Sequence, residues 1–316
     1  MVTVKSCTAV APCSTANIGP GYDVFGLALD ALDDRVKVTK TSPGGGRITI
    51  KNSDQAISAI PESNSAGLVV KKMLHDFGIG DSTEIEVTKG VPAGYGIGSS
   101  AASAAAAALA FNALYGLKID KHRLVEYAAE GEVASAGARH YDNVSASLLG
   151  GFVVCCIAND RPPQFVSLEP PRDLVLVIAV PRLEVPMKKT EVARRVLPKE
   201  VPLKSVIHNI SGAATIVAGF ALKDVETIAR GTDDVIIESA RKHLIPGYDS
   251  VKQKAISAGA LAVTISGAGP SMIAFLKTSK NARKVTAAMA KGFEEAGIKS
   301  RTLVCRPSKG ARLLAY

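Results

Sequence analysis

Residues 92–102 read PAGYGIGSSAA, and the alanine-rich run behind them carries no charge: from Val91 to Leu117 there is no Asp, Glu, Lys, Arg or His. Such a stretch suits a membrane span, a helix buried in a protein core, or a device that holds an anion. Glycines and Pro92 fill its first third, so a helix starting near Ser99 keeps only about 17 residues, the short limit for crossing a bilayer. Alanine also inserts poorly beside Leu or Ile. A core helix accounts for the apolar run and leaves the glycines as a flexible lead-in.

The anion device accounts for both. Glycine lets a backbone take positive φ and approach a ligand with no Cβ in the way. A helix starting at Ser99–Ser100 points unpaired N–H groups and the positive end of its dipole at the loop. Together these make an anion site suited to a phosphate chain. It is not the ordinary P-loop, because GxxxxGK[ST] is missing and no lysine lies between 90 and 117. Nor does it match the dinucleotide fingerprint GxGxxG. A phosphate loop without lysine must draw positive charge from elsewhere, most simply Mg²⁺, and Ser100 is a natural metal or phosphate contact.

The rest of the chain fits a globular enzyme. It has 316 residues, 47% hydrophobic and 21% charged, enough for one large or two medium domains. The net charge of +9 invites an anionic partner, but Lys and Arg are scattered and there is no Trp, which argues against a nucleic-acid surface. The five Cys lack CxxC spacing, so neither a disulfide framework nor a zinc site is expected. The start MVTVKSCTAV lacks a signal-peptide pattern, and a cytoplasmic, reduced chain is the expectation.

Alternation predicts strands at RVKVTK (35–40), RITIK (47–51) and EIEVTK (84–89), and helical spacing predicts helices at 65–77, capped by Ser63 or Asn64, and at 120–138. GGFVVCCIA reads as a buried strand, with Cys155 and Cys156 inside it. The proline-rich NDRPPQFVSLEPPR (159–172) reads as the connection between an N-terminal domain over 1–160 and a C-terminal domain over 170–316. Beyond it come an apolar strand LVLVIAV, helices near 188–197, 203–222 and 248–258, strands at 260–265 and 272–275, and a helix at 281–296.

Three motifs then point one way. PxxxGxGSSAA (Pro92–Ala102) resembles the central phosphate motif of the GHMP kinases, with Ile97 where Leu is commoner. APCSTANIGPGYDVFGLALD (11–30) resembles the N-terminal motif in its homoserine-kinase form, with Cys13 and Tyr22 as mild departures. TISGAGPSMIAF (264–275) resembles the C-terminal glycine loop. The resemblance spans nearly the whole chain. It implies an α+β, two-domain fold: an N-terminal ATP-binding domain of the ribosomal protein S5 domain 2 type and a ferredoxin-like C-terminal domain. It further implies ATP as co-substrate, Mg²⁺, L-homoserine as acceptor, a step toward threonine, and a homodimer.

By the same resemblance, Pro92, Ala93, Gly94, Tyr95, Gly96, Ile97, Gly98, Ser99, Ser100, Ala101 and Ala102 bind ATP. Ser100 and Glu132 hold the metal, with Glu130 left to solvent. Homoserine is a zwitterion, so its carboxylate needs cations and its ammonium needs acceptors; arginine, with its fork of donors, is the better carboxylate partner. Arg194 and Arg241 match the arginines, Gly267 offers a backbone N–H, and Asn17, Asp23 and Asp142 match the remaining ligands. Asn143 aims the hydroxyl, with Asp142 binding substrate rather than acting as a strong base. His140 is left as structural. Mevalonate, pantoate or shikimate as acceptor, and a catalytically silent relative, are the alternatives; the acidic pair Asp23 and Asp142 speaks for an ammonium, and the complete site speaks against silence.

Overall fold

The structure, a computed structural model, describes residues 5–52, 57–158, 160–185 and 189–314. Asn159 and Lys188, at the heads of two expected segments, lie outside them.

The first half is a sheet backed by helices. β1 (Ser6–Asn17) turns back into the 22-residue β2 (Gly21–Ser42), and a register shift between Pro12 and Cys13 bends the pair. β3 (Ile48–Asn52) leads through α1 (Ser65–Asp76) to β4 (Ser82–Thr88), which runs parallel to β3 and antiparallel to β2. Asn64 caps α1, its side-chain oxygen accepting from the N–H groups of Ala66 and Gly67. Then come α2 (Ser99–Tyr115), α3 (Lys121–Ala136), α4 (Asp142–Leu149), β5 (Phe152–Ala158) and β6 (Arg161–Leu168). The alternating runs fall in β2, β3 and β4 as expected, and the acidic stretch falls in α3 with Asp120 as its cap.

The uncharged run is a core helix with a purpose at its head. In α2, Ala101, Ala102, Ala104–Ala108, Ala110 and Phe111 are buried, so small side chains let α1, α3 and β1 close around it. Among the described residues α6 (203–222, below), not this run, is the one helix long and apolar enough to cross a membrane.

The second half is a four-stranded antiparallel sheet. After β7 (Val175–Pro181) the chain forms α5 (Lys189–Arg195), α6 (Leu203–Leu222), α7 (Val225–Arg230), α8 (Ile237–Arg241) and α9 (Tyr248–Ser257). β8 (Ala262–Ile265), β9 (Met272–Leu276), α10 (Ala282–Glu294), β10 (Ser300–Cys305) and a short β11 (Arg312–Leu313) complete it. The order β10-β7-β9-β8 is the ferredoxin-like arrangement. β7 is apolar throughout because both its faces are covered. Val175, Val177 and Ala179 meet α9 and α10, while Leu176, Ile178 and Val180 join a second core with Leu27, Ile97, Phe152 and Phe220. That second core welds the two halves, with Phe152 stacked on Phe220 at 3.8 Å between ring centres.

Two expectations are corrected. Residues 161–168 are not a connection but β6, paired antiparallel with β5; prolines are tolerated there because β6 is an edge strand, with β5 its one partner strand among the described residues. The tail also returns to the first sheet, where β11 pairs with β1 and Pro307 and Lys309 bridge to Leu29 and Gly150. The first sheet therefore draws on residues beyond 160 at both places. Within β5, Cys155 is buried but Cys156 is exposed, because the end of the strand runs out from under its cover: Ile157, on the opposite face, is exposed as well.

Candidate active site

A cavity of about 360 Å³ lies where the N-terminal motif, the phosphate loop, α3, α4, α5 and the C-terminal glycine loop converge. The loop 92–98 reaches α2 through Gly94, Gly96 and Gly98, all at positive φ. At Gly98, the N-cap of α2, a Cβ would stand 2.1 Å from Ser14 Oγ and 3.2 Å from Asn143 Oδ1. At Gly96 it would stand 2.4 Å from the carbonyl of Ser266. These glycines let the two motif loops touch backbone to backbone, as a narrow phosphate cradle requires.

A buried ion pair holds the loop from behind. Asp34, fully buried, accepts from the N–H groups of Gly90 and Val91 at 3.0 Å each, from Ser103 Oγ at 2.7 Å and from Lys89. Lys89 also donates to the carbonyl of Ser99 at 2.9 Å, and Ser99 Oγ donates to the carbonyl of Val91 at 2.8 Å. The start of the loop and the start of α2 are thus clamped together.

Across the cavity lie the charges. The turn after β1 is tight enough that Asn17, Ile18 and Asp23 take positive φ. Asn17 stabilises that turn, donating to the carbonyl of Gly267 at 2.8 Å and accepting from the Asp23 N–H at 3.1 Å. Arg194 reaches over from α5 and donates to both Asp23 oxygens, at 2.9 and 2.7 Å. The buried Arg241 donates to the carbonyls of Ala193 at 3.0 Å and Gly267 at 3.4 Å. Both guanidinium groups lie over the Tyr22 ring, 5.4 and 5.0 Å from its centre.

Two carboxyl groups sit on the α3 and α4 side. Burial pushes Glu132 up to about 7, against a hydrogen bond with Ser100 and with the charge of Asp142 adding to the rise. Burial and the charge of Asp23 likewise push Asp142 up to about 7. Asp142 Oδ1 accepts from the Asn143 N–H at 2.7 Å, and Asn143 Oδ1 accepts from Ser14 Oγ at 2.9 Å, which fixes the amide's orientation.

This geometry can be set beside known proteins. The family description "GHMP kinases N terminal domain" matches residues 64–151, and "GHMP kinases C terminal" matches residues 216–295. A homoserine kinase of Thermoplasma volcanium is 36% identical over 98% of this chain and 96% of its own. The chain belongs to the GHMP kinase family. A homoserine kinase of Methanococcus maripaludis is 40% identical over 88% of the chain and 89% of its own length. The crystal structure of homoserine kinase from Cytophaga hutchinsonii superposes with TM-score 0.91 at 37% identity, covering 99% of each chain. Mevalonate diphosphate decarboxylase from Staphylococcus aureus, at 18% identity and TM-score 0.72, shares the fold.

In this GHMP kinase, Asn17, Asp23, Ala93, Gly94, Gly96, Gly98, Ser99, Ser100, Glu132, Asp142, Asn143, Arg194, Arg241 and Gly267 all line the one cavity. Pro92, Tyr95, Ile97, Ala101 and Ala102 do not: Ile97 and Ala102 are in the core that joins the halves, Ala101 is in the core of the first half, and Tyr95 Oη donates to the carbonyl of Leu183 at 3.1 Å. Gly267 is corrected in role, because its N–H donates to the carbonyl of Ala16 at 3.1 Å and is not directed at a ligand. His140, read as structural, lines the cavity, and burial and Arg194 hold its pKa down. Lys89, Lys189 and Thr190 also line it. None belongs to a glycine motif, though Lys189 and Thr190 stand just ahead of Arg194 in KKTEVARRVLP, where a search of that segment for more than arginine could have found them.

The residues present fit Mg²⁺. Oε1 of Glu132 is buried with no hydrogen-bond partner, burial and the charge of Asp142 hold the carboxyl above its usual range, and the Ser100 hydroxyl is beside it. A hard cation taking one or two protein oxygens, with the rest from phosphate and water, answers that need.

Proposed function

We infer that the protein is a homoserine kinase, transferring the γ-phosphoryl group of ATP to the hydroxyl of L-homoserine to give O-phospho-L-homoserine and ADP, a step toward threonine. The observation that carries this reading is the pairing, around one cavity, of a lysine-free phosphate loop with two arginines and two carboxyl groups. The arginines suit the acceptor's carboxylate, and Asp23 with Asp142 suits its ammonium. Mevalonate, pantoate and shikimate have no ammonium to satisfy that acidic pair. The full-length likeness to homoserine kinases supports the same acceptor.

Phosphoryl transfer asks the protein mainly for positioning and charge stabilisation. Free N–H groups at the head of α2 receive the phosphates, Glu132 and Ser100 would hold Mg²⁺, and Asn143 aims the hydroxyl. A Mg²⁺ ion held by Glu132 and Ser100 would supply positive charge to neutralise what develops on the phosphoryl group. Asp142 binds the ammonium, which draws its carboxyl back to the ionised form. Asp142→Asn should therefore raise KM for homoserine about 10- to 100-fold, the scale of a lost charge-assisted contact, and lower kcat less. Retained affinity with nearly all kcat lost would instead make Asp142 the base.

The deciding assay is Mg·ATP-dependent ADP release with L-homoserine, mevalonate, pantoate, shikimate or no acceptor. Release with homoserine alone is expected. Release with another alcohol keeps the kinase and replaces the acceptor, and no release with any favours a silent relative. A cytoplasmic homodimer completes the reading. Leu203, Ile207, Ile210 and Leu222 on α6 are exposed, and a second copy would cover them; sedimentation as a monomer at micromolar concentration counts against it.

A further inference from the structure

The phosphate loop has no lysine of its own, and Lys89, the nearest along the chain, is engaged by Asp34 and the head of α2. A second lysine enters the cavity from the other half of the molecule. Lys189 opens α5, lines the cavity, and donates from its ammonium to the carbonyl of Gly269. That same carbonyl lies against Gly96, where a Cβ would stand 2.5 Å from it. A single carbonyl therefore connects the ammonium to the backbone of the phosphate loop.

The setting lacks an anion. Although the residue as a whole is only partly buried, its charged end lies deep. Burial, and then the neighbouring Arg241, pull its pKa down to about 7, and no carboxylate among the described residues offsets them. An ammonium carries three donors, and the Gly269 carbonyl uses one. A desolvated cation beside another cation is unfavourable until a ligand brings negative charge.

We propose that Lys189 is a nucleotide ligand whose ammonium contacts the terminal phosphoryl group of ATP and stabilises its charge during transfer. It supplies from the C-terminal half the cation that the loop at 92–102 does without. The step it serves breaks the bond from the γ-phosphorus to the ADP oxygen and forms one to the acceptor oxygen. The hydroxyl proton passes to water, and Lys189 keeps its own protons throughout. The substrate carboxylate is the less suited anion, because Arg194 and Arg241 already flank Tyr22 on the Asp23 side, whereas Lys189 is tied to the loop that touches Gly96. The proposal rests on the reading of the site as an ATP-dependent kinase and not on which alcohol is phosphorylated.

The test compares Mg·ADP with the Mg complex of a non-hydrolysable ATP analogue by calorimetry, with no acceptor present, in wild type, Lys189→Met, Lys189→Gln and Lys189→Arg. Gln keeps a donor for Gly269 without the charge, so it separates charge from folding. For Met and Gln the analogue should bind about tenfold or more weakly while ADP stays within about twofold. Turnover should fall about 100-fold, with part recovered in Arg. Equal losses for both nucleotides, or unchanged nucleotide binding with a raised KM for the alcohol, would overturn the proposal. Because the binding arm omits the acceptor, a wrong acceptor shows only in turnover, and a wild type that binds neither nucleotide overturns both readings.

Discussion

Glu132→Gln should lower kcat about 10³-fold at saturating ATP while making the unliganded protein more stable at pH 8. The two effects share one cause. The carboxyl is buried with Oε1 unpartnered, and burial pushes it up to about 7 from a reference value of 4.5. An acid whose folded pKa is raised holds its proton more tightly in the native state. Its contribution therefore weakens stability as pH rises from about 4.5 through about 7, and the penalty is absent below the unfolded value. The shift corresponds to at most about 3 kcal/mol. Gln is neutral at every pH and escapes it, so the two proteins should melt alike near pH 4 and diverge toward pH 8. With Mg·ADP the order should reverse if Glu132 holds the metal as proposed, because Gln is a poorer ligand. The loss in kcat follows from several kcal/mol of charge stabilisation given up with the metal. Thermal melts with and without Mg·ADP at the two pH values check this. A Gln variant that gains as much from Mg·ADP as wild type would remove Glu132 from the metal site.

Arg194→Leu should reduce kcat/KM for homoserine by about 10³-fold, mostly through KM, with KM for ATP unchanged within about twofold. Arg194 comes from α5 in the C-terminal half, yet its guanidinium holds both oxygens of Asp23 in the N-terminal half. On the proposed reading its removal costs the acceptor a carboxylate partner, and it breaks the pairing with Asp23. A charge-assisted contact is worth about 1.5–3 kcal/mol, and the disordering of Asp23 adds to it. Arg194→Lys should recover little, since a point charge cannot span two oxygens. Steady-state kinetics with each substrate varied in turn decide it. If KM for ATP rises instead, Arg194 belongs to the nucleotide.

How much of this was legible in the chain differs from residue to residue. The uncharged run with glycines at its head carries its own explanation, since φ, Cβ clearance and the helix terminus are local properties. Asn64 as a cap, the alternating strands and the two-face burial of LVLVIAV are local in the same sense. Residues 161–168 were not legible, because proline and polar residues mark a loop and an edge strand alike, and only its partner β5 separates the two. Tyr95 and Ile97 point away from the cavity because a motif names a stretch, while the turns of the loop decide which side chains face it. Gly267 lines the cavity, but its N–H donates to the carbonyl of Ala16, 251 residues earlier by the numbering, a contact no local pattern announces.

Sequence alone therefore determined the family and fold, the glycine loop that opens α2, and which charged residues were candidates for the site. The tertiary structure decided which of those charges meet. Asp34 and Lys89 clamp the loop, Arg194 crosses to Asp23, and Lys189 reaches Gly269 from the opposite half. The physical reason is one of range. Backbone conformation and helix termini depend on neighbours a few residues away, whereas a buried charge takes its pKa and its partner from whatever the fold packs against it.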